Sequence, residues 1–287
     1  MFQRIVLLIT PSGMCADASE AAVALASHCR ARLYVLCVLH EAGHCWDTLF
    51  GTPPPEEAEE RKAVLEAYFR ERLGGGTGCA VETTCGFTEV EAQRFAWRMG
   101  ADLIVAGWDM EEGKPFSQDR ARHLHTLNRL CLGARCPVLV VSKPFGRMPL
   151  RFSRILAATD FSRESDHAVR YAAELAEGLE AKLRILHVVE SPRPLTDEAV
   201  GDIRRTLAAH YAKDVAGRPF EAFDVSSGEP RQTIVEHALD TEADLIVMAH
   251  RRAENSVFEP EADSVLAYVS QNAACPTLSL NRSAGGR

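Results

Sequence analysis

One segment of this chain occurs twice, and that repetition limits its fold more than any other feature. Ala101 to Gly107 reads ADLIVAG and Ala243 to Ala249 reads ADLIVMA, at an offset of 142. Other landmarks keep the same order. Arg4 and Ile5 answer Arg154 and Ile155, and RLYVLCVLHE (32–41) answers KLRILHVVES (182–191), both at an offset of 150. Near the end of each copy, CPVL at 136–139 answers CPTL at 275–278, at an offset of 139. One ordered set of matches with a falling offset means two homologous domains, the second with shorter connections. The period is far longer than a solenoid repeat, so each copy owns a core. The domains are taken as 1–145 and 151–287, joined through KPFGRMPLRFS (143–153).

Inside each copy, short apolar runs alternate with helical patterns, as in a parallel sheet covered by helices on both faces. In the second copy ILAAT (155–159) is the first strand. Ala168, Val169, Ala172, Leu175, Ala176 and Leu179 then recur at i, i+3, i+4 spacing and predict an amphipathic helix. LRILHVV (183–189) is almost continuously apolar, as a strand buried on both faces must be. A helix from Thr196 to about His210 and a strand FEAFDVSSG (220–228) follow. Next come a helix from Pro230 to Thr241, opening on proline, and a strand DLIVMA (244–249). A helix from about Ser264 to Asn272 and a strand PTLSLN (276–281) complete the copy. The first copy gives the same order, with Thr88 and Glu91 spaced as a capping box and one Pro-rich excursion at 43–60. The expected fold class is α/β: two tandem open parallel five-stranded sheets with helices on both faces.

Composition limits the partners. Thirty-two Lys and Arg against 40 Asp and Glu leave a net charge of -8, the opposite of what phosphate neutralisation requires, so no nucleic-acid partner is expected. No apolar run approaches a membrane span, and MFQRIVLLITPSG reads as a buried strand rather than a leader, so no membrane partner and a cytoplasmic location are expected. Nine cysteines without a CxxC pair disfavour a disulfide scaffold or a zinc ribbon.

The phrases ILAATDFSRESDHAVRYAAELA, LHVVE (186–190), the GEP turn at 228–230, ADLIVMA and DSVLAYVSQNAACPTLSL together resemble the universal stress protein family in its tandem form. The resemblance implies a Rossmann-like, adenine-nucleotide alpha hydrolase-like sheet in each domain and a family in which some members bind ATP and others do not. Binders carry an acidic residue after the first strand and a loop G-x2-G-x9-G-S/T after the fourth. Glycines there let the backbone approach a polyphosphate, and the following helix offers free NH groups. In the second copy Asp160 and Ser162 take the acidic position and its neighbour. The loop glycines are replaced by Ala249, Arg252 and Asp263, only Ser264 survives, and the spacing is one residue longer. A carboxylate at Asp263 caps a helix and repels a phosphate. His250, Arg251 and Arg252 offer the opposite reading, a grip on phosphate by side chains. The resemblance also implies that the last strands, at 138–142 and 277–281, pair with each other and cover edges that would invite aggregation.

The first copy has Thr10 and Pro11 at the acidic position, keeps Gly107, and places Met110, Leu124 and His125 at the other loop positions. It also gathers His40, His44, Cys45, His123 and His125 at the same edge, ligand types that suit zinc. Their spacing does not make a helical metal pair, so no metal is assigned, and no catalytic residue is assigned either. Three functions stay open. The leading one is a non-catalytic stress-response binding or adaptor protein with no cofactor, an unidentified protein partner, domain pairing within the chain and a capacity to form homo-oligomers. The alternatives are an ATP or adenylate sensor using the second domain and a zinc or redox sensor using the first.

Overall fold

The computed structural model describes residues 1–9, 16–38, 55–74, 78–107, 118–141, 152–249 and 264–281, with side chains from 59 and from 125 in the third and fifth of these segments. The chain divides into two units, Met1–Leu150 and Arg151–Arg287.

In the first unit the strands are β1 (Arg4–Ile9), β2 (Arg32–Val38), β3 (Cys79–Thr84), β4 (Leu103–Gly107) and β5 (Val138–Val141). Between them lie α1 (Ala16–Cys29), α2 (Pro55–Leu73), α3 (Thr88–Met99) and α4 (Gln118–Gly133). The strand order is β3-β2-β1-β4-β5, with every pairing parallel. The second unit repeats this with β6 (Arg154–Thr159), α5 (Arg163–Leu179), β7 (Lys182–Val189), α6 (Asp197–Val215) and β8 (Phe220–Ser227). It continues through α7 (Pro230–Asp240), β9 (Leu245–Ala249), α8 (Val265–Asn272) and β10 (Thr277–Leu280). Its order is β8-β7-β6-β9-β10, again parallel throughout. Both sheets therefore belong to the expected α/β class.

Burial explains the order. β1, β4, β6 and β9 are central and apolar on both faces, with Ile5, Leu7, Leu103, Ile104, Ile155 and Leu156 at or near zero exposure. The outer β8, FEAFDVSS, is only half-buried along its length, which is why charged and hydroxyl side chains are tolerated there. The α6 helix runs five residues past His210, because Leu207 and Tyr211 are both buried and nothing stops the turn before Gly217 at φ 74°.

The role expected of Thr88 needs correction. The N-cap of α3 is Phe87, which carries no side-chain cap bond, and Thr88 lies inside the helix. The cause is Gly86, whose φ of 146° sets Phe87 in an extended conformation, with Glu91 folded back against the glycine. In the second unit Gly228 has the same φ of 146°, followed by Glu229 as N-cap and Pro230 opening α7.

The aspartate of the repeated ADLIV phrase ties the amino ends of two strands together. Asp102 accepts from the amides of Gln3 at 2.7 Å and Arg4 at 3.1 Å. Asp244 accepts from those of Ser153 at 2.7 Å and Arg154 at 3.0 Å. Amides at the start of a strand lack a ladder partner on one side, and a carboxylate supplies it with charge-assisted bonds.

Candidate functional site at the carboxyl edge of the second unit

Chain order reverses between β6 and β9: β7 and β8 extend the sheet on one side and β10 on the other. Such a switch point leaves a crevice beyond the carboxyl ends of the strands, where ligands settle in open α/β sheets. Asp160, Ser162, Ala249 and Ser264 all come to this edge. Asp160 follows β6 and is exposed, and its Oδ1 accepts from the Ser162 amide at 2.9 Å. Burial works against its charge, but hydrogen bonds from Ser162 and Ser165 outweigh it and hold the carboxyl below its ordinary range. Ser162 caps α5, its Oγ accepting from the Ser165 amide at 3.1 Å. Ser264 caps α8 in the same way, accepting from the Ala267 amide at 3.0 Å. Ala249 ends β9 and is half-buried. His250, Arg251, Arg252 and Asp263 lie outside the described residues.

Behind Asp160 sits a cluster that the spacing of residues did not reveal. Phe161 has φ 61°, a left-handed conformation that strains a bulky side chain. Its ring lies 4.7 Å from that of His187 and stacks near-parallel to that of Tyr211 at 6.4 Å. The backbone is held by Thr159, whose Oγ1 accepts from the Phe161 amide at 3.1 Å. Tyr211 Oη lies 2.5 Å from Thr159 Oγ1 and donates to Asp166 Oδ1 at 2.8 Å, so the threonine hydroxyl is the donor to the tyrosine. His210 Nε2 donates to the same carboxylate oxygen at 2.8 Å. His187 Nδ1 lies 2.9 Å from the Thr159 carbonyl, which can only accept, so that nitrogen carries the proton. Burial, with the nearby Asp166 charge, pushes the Tyr211 hydroxyl far above its ordinary pKa and keeps it a donor. The only sequence signals were the polar His187 in an apolar run and the TDF triplet at 159–161; a positive φ at phenylalanine is not legible in either.

Around this edge a cavity of about 290 Å³ is lined by Arg163, Glu164, Asp166, His167 and Arg170 of α5. A second, of about 360 Å³, lies where β8 meets α7 and the residues leading into α6, with Ser226, Thr233, Glu236 and His237 among its walls. His237 Nε2 donates to Asp224, which also takes a bidentate contact from Arg184.

In the first unit the corresponding edge is only partly described. Gly107 ends β4 and His125 is exposed on α4. Thr10, Pro11, His40, His44, Cys45 and Met110, and the side chains of His123 and Leu124, lie outside the described residues. Among the described residues no group of three or more His, Cys, Asp or Glu side chains stands ready to hold a metal ion. Burial raises the thiol pKa of Cys136 in the first unit and of Cys275 in the second to about 12.

A doubly wound parallel sheet with capped helix N-termini at its switch point places the chain among Rossmann-like α/β proteins. The Universal stress protein family matches residues 1–142 and again residues 151–280, and the chain belongs to that family as a tandem member. Among solved structures it is similar to a universal stress protein from Archaeoglobus fulgidus DSM 4304, at 18% identity over 96% of each chain with a TM-score of 0.71. It is also similar to a putative universal stress protein from Pseudomonas aeruginosa UCBPP-PA14, at 17% identity over 98% of this chain and 93% of that one, with a TM-score of 0.65. No curated protein matches the chain. Among the described residues no helix is long and apolar enough to cross a membrane.

Proposed function

We propose that the chain is a non-catalytic stress-response binding or adaptor protein whose second domain has turned the ligand edge of its sheet inward. The supporting observation is what the polar groups there do. Asp160 binds the Ser162 amide, Ser162 the Ser165 amide and Ser264 the Ala267 amide, so side chains of the ligand edge satisfy the chain's own helix ends. In the sequence Asp263 adds a negative charge immediately before Ser264, and Ala249 and Arg252 replace glycines of the nucleotide-binding loop pattern. Asp160, Ser162, Ala249, Arg252, Asp263 and Ser264 are the residues assigned to this edge.

A second reading, an adenylate sensor, draws support from Asp160 itself. Its carboxylate is ionised and exposed at the switch point, placed to accept from hydroxyl groups of a ribose. Calorimetric titration of ATP separates the two readings. The adaptor predicts weak or undetectable binding to the wild type and stronger binding after Asp263→Gly. The sensor predicts tight wild-type binding that Arg252→Ala abolishes, and that result overturns the leading reading. Nucleotide analysis of protein denatured directly after purification gives the same decision without added ligand.

A further inference from the structure

The cavity of about 360 Å³ at the end of β8 is lined entirely by residues of the second unit and has the size of a small-molecule site. One side of it is apolar, built by Leu195, Val200 and Val225. The other carries the hydroxyls of Ser226, Ser227 and Thr233, the carboxylates of Glu236 and Asp240, and the His237 imidazole. Thr233, Glu236, His237 and Asp240 recur at i, i+3, i+4 and i+7, so α7 presents them as one stripe. Among the described residues no lysine or arginine lines the cavity, and neither carboxylate has an ion pair or a hydrogen bond. His237 Nε2 is committed to Asp224 at 3.1 Å, which leaves Nδ1 of the neutral ring as one more acceptor. An anion finds no counter-charge here, whereas an ammonium finds two.

The repeated fold does not demand this polarity. With Gly86 answering Gly228 at an offset of 142, Glu236 and Asp240 correspond to Arg94 and Arg98 of α3, and His237 corresponds to Phe95. In the first unit those arginines pair with Glu91 and Glu82 of their own domain, and Phe95 meets Tyr34 edge-on. The same scaffold positions in the second unit hold two carboxylates without a partner. Asp240 also ends α7, where the helix dipole disfavours a negative charge. A single unpaired carboxylate on a surface is ordinary, but two on one stripe, facing an apolar wall across a cavity, are the parts of a receptor for an amphipathic cation.

We propose that this cavity binds a short aliphatic diamine, with its ammonium groups on Glu236 and Asp240 and its methylenes against Leu195, Val200 and Val225. Four residues of α-helix rise about 6 Å, which matches the separation of two ammonium nitrogens across about four methylenes. Each ammonium carries three N–H donors, and the three hydroxyls and His237 Nδ1 take those that the carboxylates leave. The walls are set in advance. Arg184 holds Asp224 with two bonds, Asp224 holds His237, and Pro230 opens α7, so little ordering is lost on binding. The cavity shares no residue with the ligand edge at Asp160 and Ser264, and the proposal is independent of both nucleotide readings.

The test is calorimetric titration of tetramethylenediamine into the full chain. The expected result is one saturable site per chain, weakened at least about tenfold by Glu236→Gln and by Asp240→Asn, since each removes a charge-assisted contact. Butylamine, with a single ammonium, and ethylenediamine, too short to reach both carboxylates, should also bind at least about tenfold more weakly. Glu236 and Asp240 are exposed, so melting of the two variants should match the wild type. Glu174→Gln, which removes an exposed carboxylate of α5 outside the cavity walls, should bind as the wild type does, and so separates a built site from the general pull of a chain of net charge -8 on cations. No saturable binding up to about 10 mM diamine, binding that both cavity substitutions leave unchanged, butylamine as tight as the diamine, or an equal loss with Glu174→Gln overturns the proposal.

Discussion

Replacing Asp224 by asparagine should destabilise the second unit by an amount that depends on pH. The carboxylate takes two bonds from Arg184, at 2.8 and 3.0 Å, and one from His237 at 3.1 Å. The three side chains are 14%, 24% and 19% exposed for Asp224, Arg184 and His237, so water screens them only in part. A hydrogen bond to a charged group contributes about 1.5–3 kcal/mol, and breaking a buried pair costs about 3–5 kcal/mol. Asparagine keeps the shape and one acceptor, and Arg184 retains Glu221 at 3.5 Å, so the net loss at neutral pH is about 2–3 kcal/mol. For a unit of this size that corresponds to a fall in melting temperature of roughly 8–12 °C. The sign of the pH effect follows from the shift. Burial pushes the Asp224 carboxyl up, but hydrogen bonds from His237 and Arg184 and the charge of Arg184 outweigh it, and the folded pKa lies below the ordinary value. The stabilisation is complete above the unfolded pKa of about 3.9 and is lost as pH falls through the folded one. Thermal unfolding of wild type and variant between pH 7 and pH 3 measures both effects. A melting change under about 2 °C at pH 7, or a gap that fails to shrink in acid, refutes the reasoning, since about 2–3 kcal/mol was assigned to an ionised carboxylate.

Gly228→Ala should cost about 1–3 kcal/mol, because its φ of 146° suits only glycine and an added Cβ meets Thr233 Oγ1 at 2.7 Å, whereas Gly178→Ala, in an open helix position, should add about 0.5–1 kcal/mol; paired denaturant melts check the opposite signs. Tyr211→Phe should lose about 1–2 kcal/mol by removing the donor to Asp166 and the acceptor for Thr159, and an unchanged midpoint would show that chain to be energetically idle. Purified protein should carry no stoichiometric zinc, and its melting should be indifferent to a chelator; metal that copurifies and stabilises the fold reopens the His and Cys group of the first domain. Pairing of residues 138–142 with 277–281, which the family resemblance implies, predicts that their amides exchange in the slowest class, and fast exchange in either run counts against it.

The architecture was legible because a repeated apolar rhythm survives even where single residues change. ILAAT, LRILHVV and DLIVMA needed only their near-continuous apolar runs to be read as strands of a covered parallel sheet. The end of α6 was missed because Tyr211, polar at its tip, belongs to the core and carries the helix past His210. The cap of α3 was missed because the deciding residue is Gly86, acting through its φ rather than through a hydrogen-bonding side chain. At the ligand edge the cap of α8 falls on Ser264, one residue beyond Asp263 where the sequence put it, and the cap of α5 at Ser162 was not read from the sequence. The aromatic and imidazole cluster around Phe161 was not legible, since it joins residues from β6, β7 and α6 that only the folded sheet brings within 7 Å.

Asp102 and Asp244 sit at the opposite end of each sheet from the carboxyl ends of β4 and β9, where the connecting loops begin, and that separation bears on how such a protein can be altered. The staple and the loops share no residues, so exchanging the loops leaves the carboxylate–amide bonds of the staple in place. A loop able to hold a polyphosphate could be grafted between Ala249 and Val265, leaving the amide bonds at Ser153 and Arg154 untouched. A graft at the other end has no such freedom. Exchanging the ADLIV phrase removes the fastener of the central strands, so diversity in a chain of this design should accumulate at one rim of the sheet and be resisted at the other.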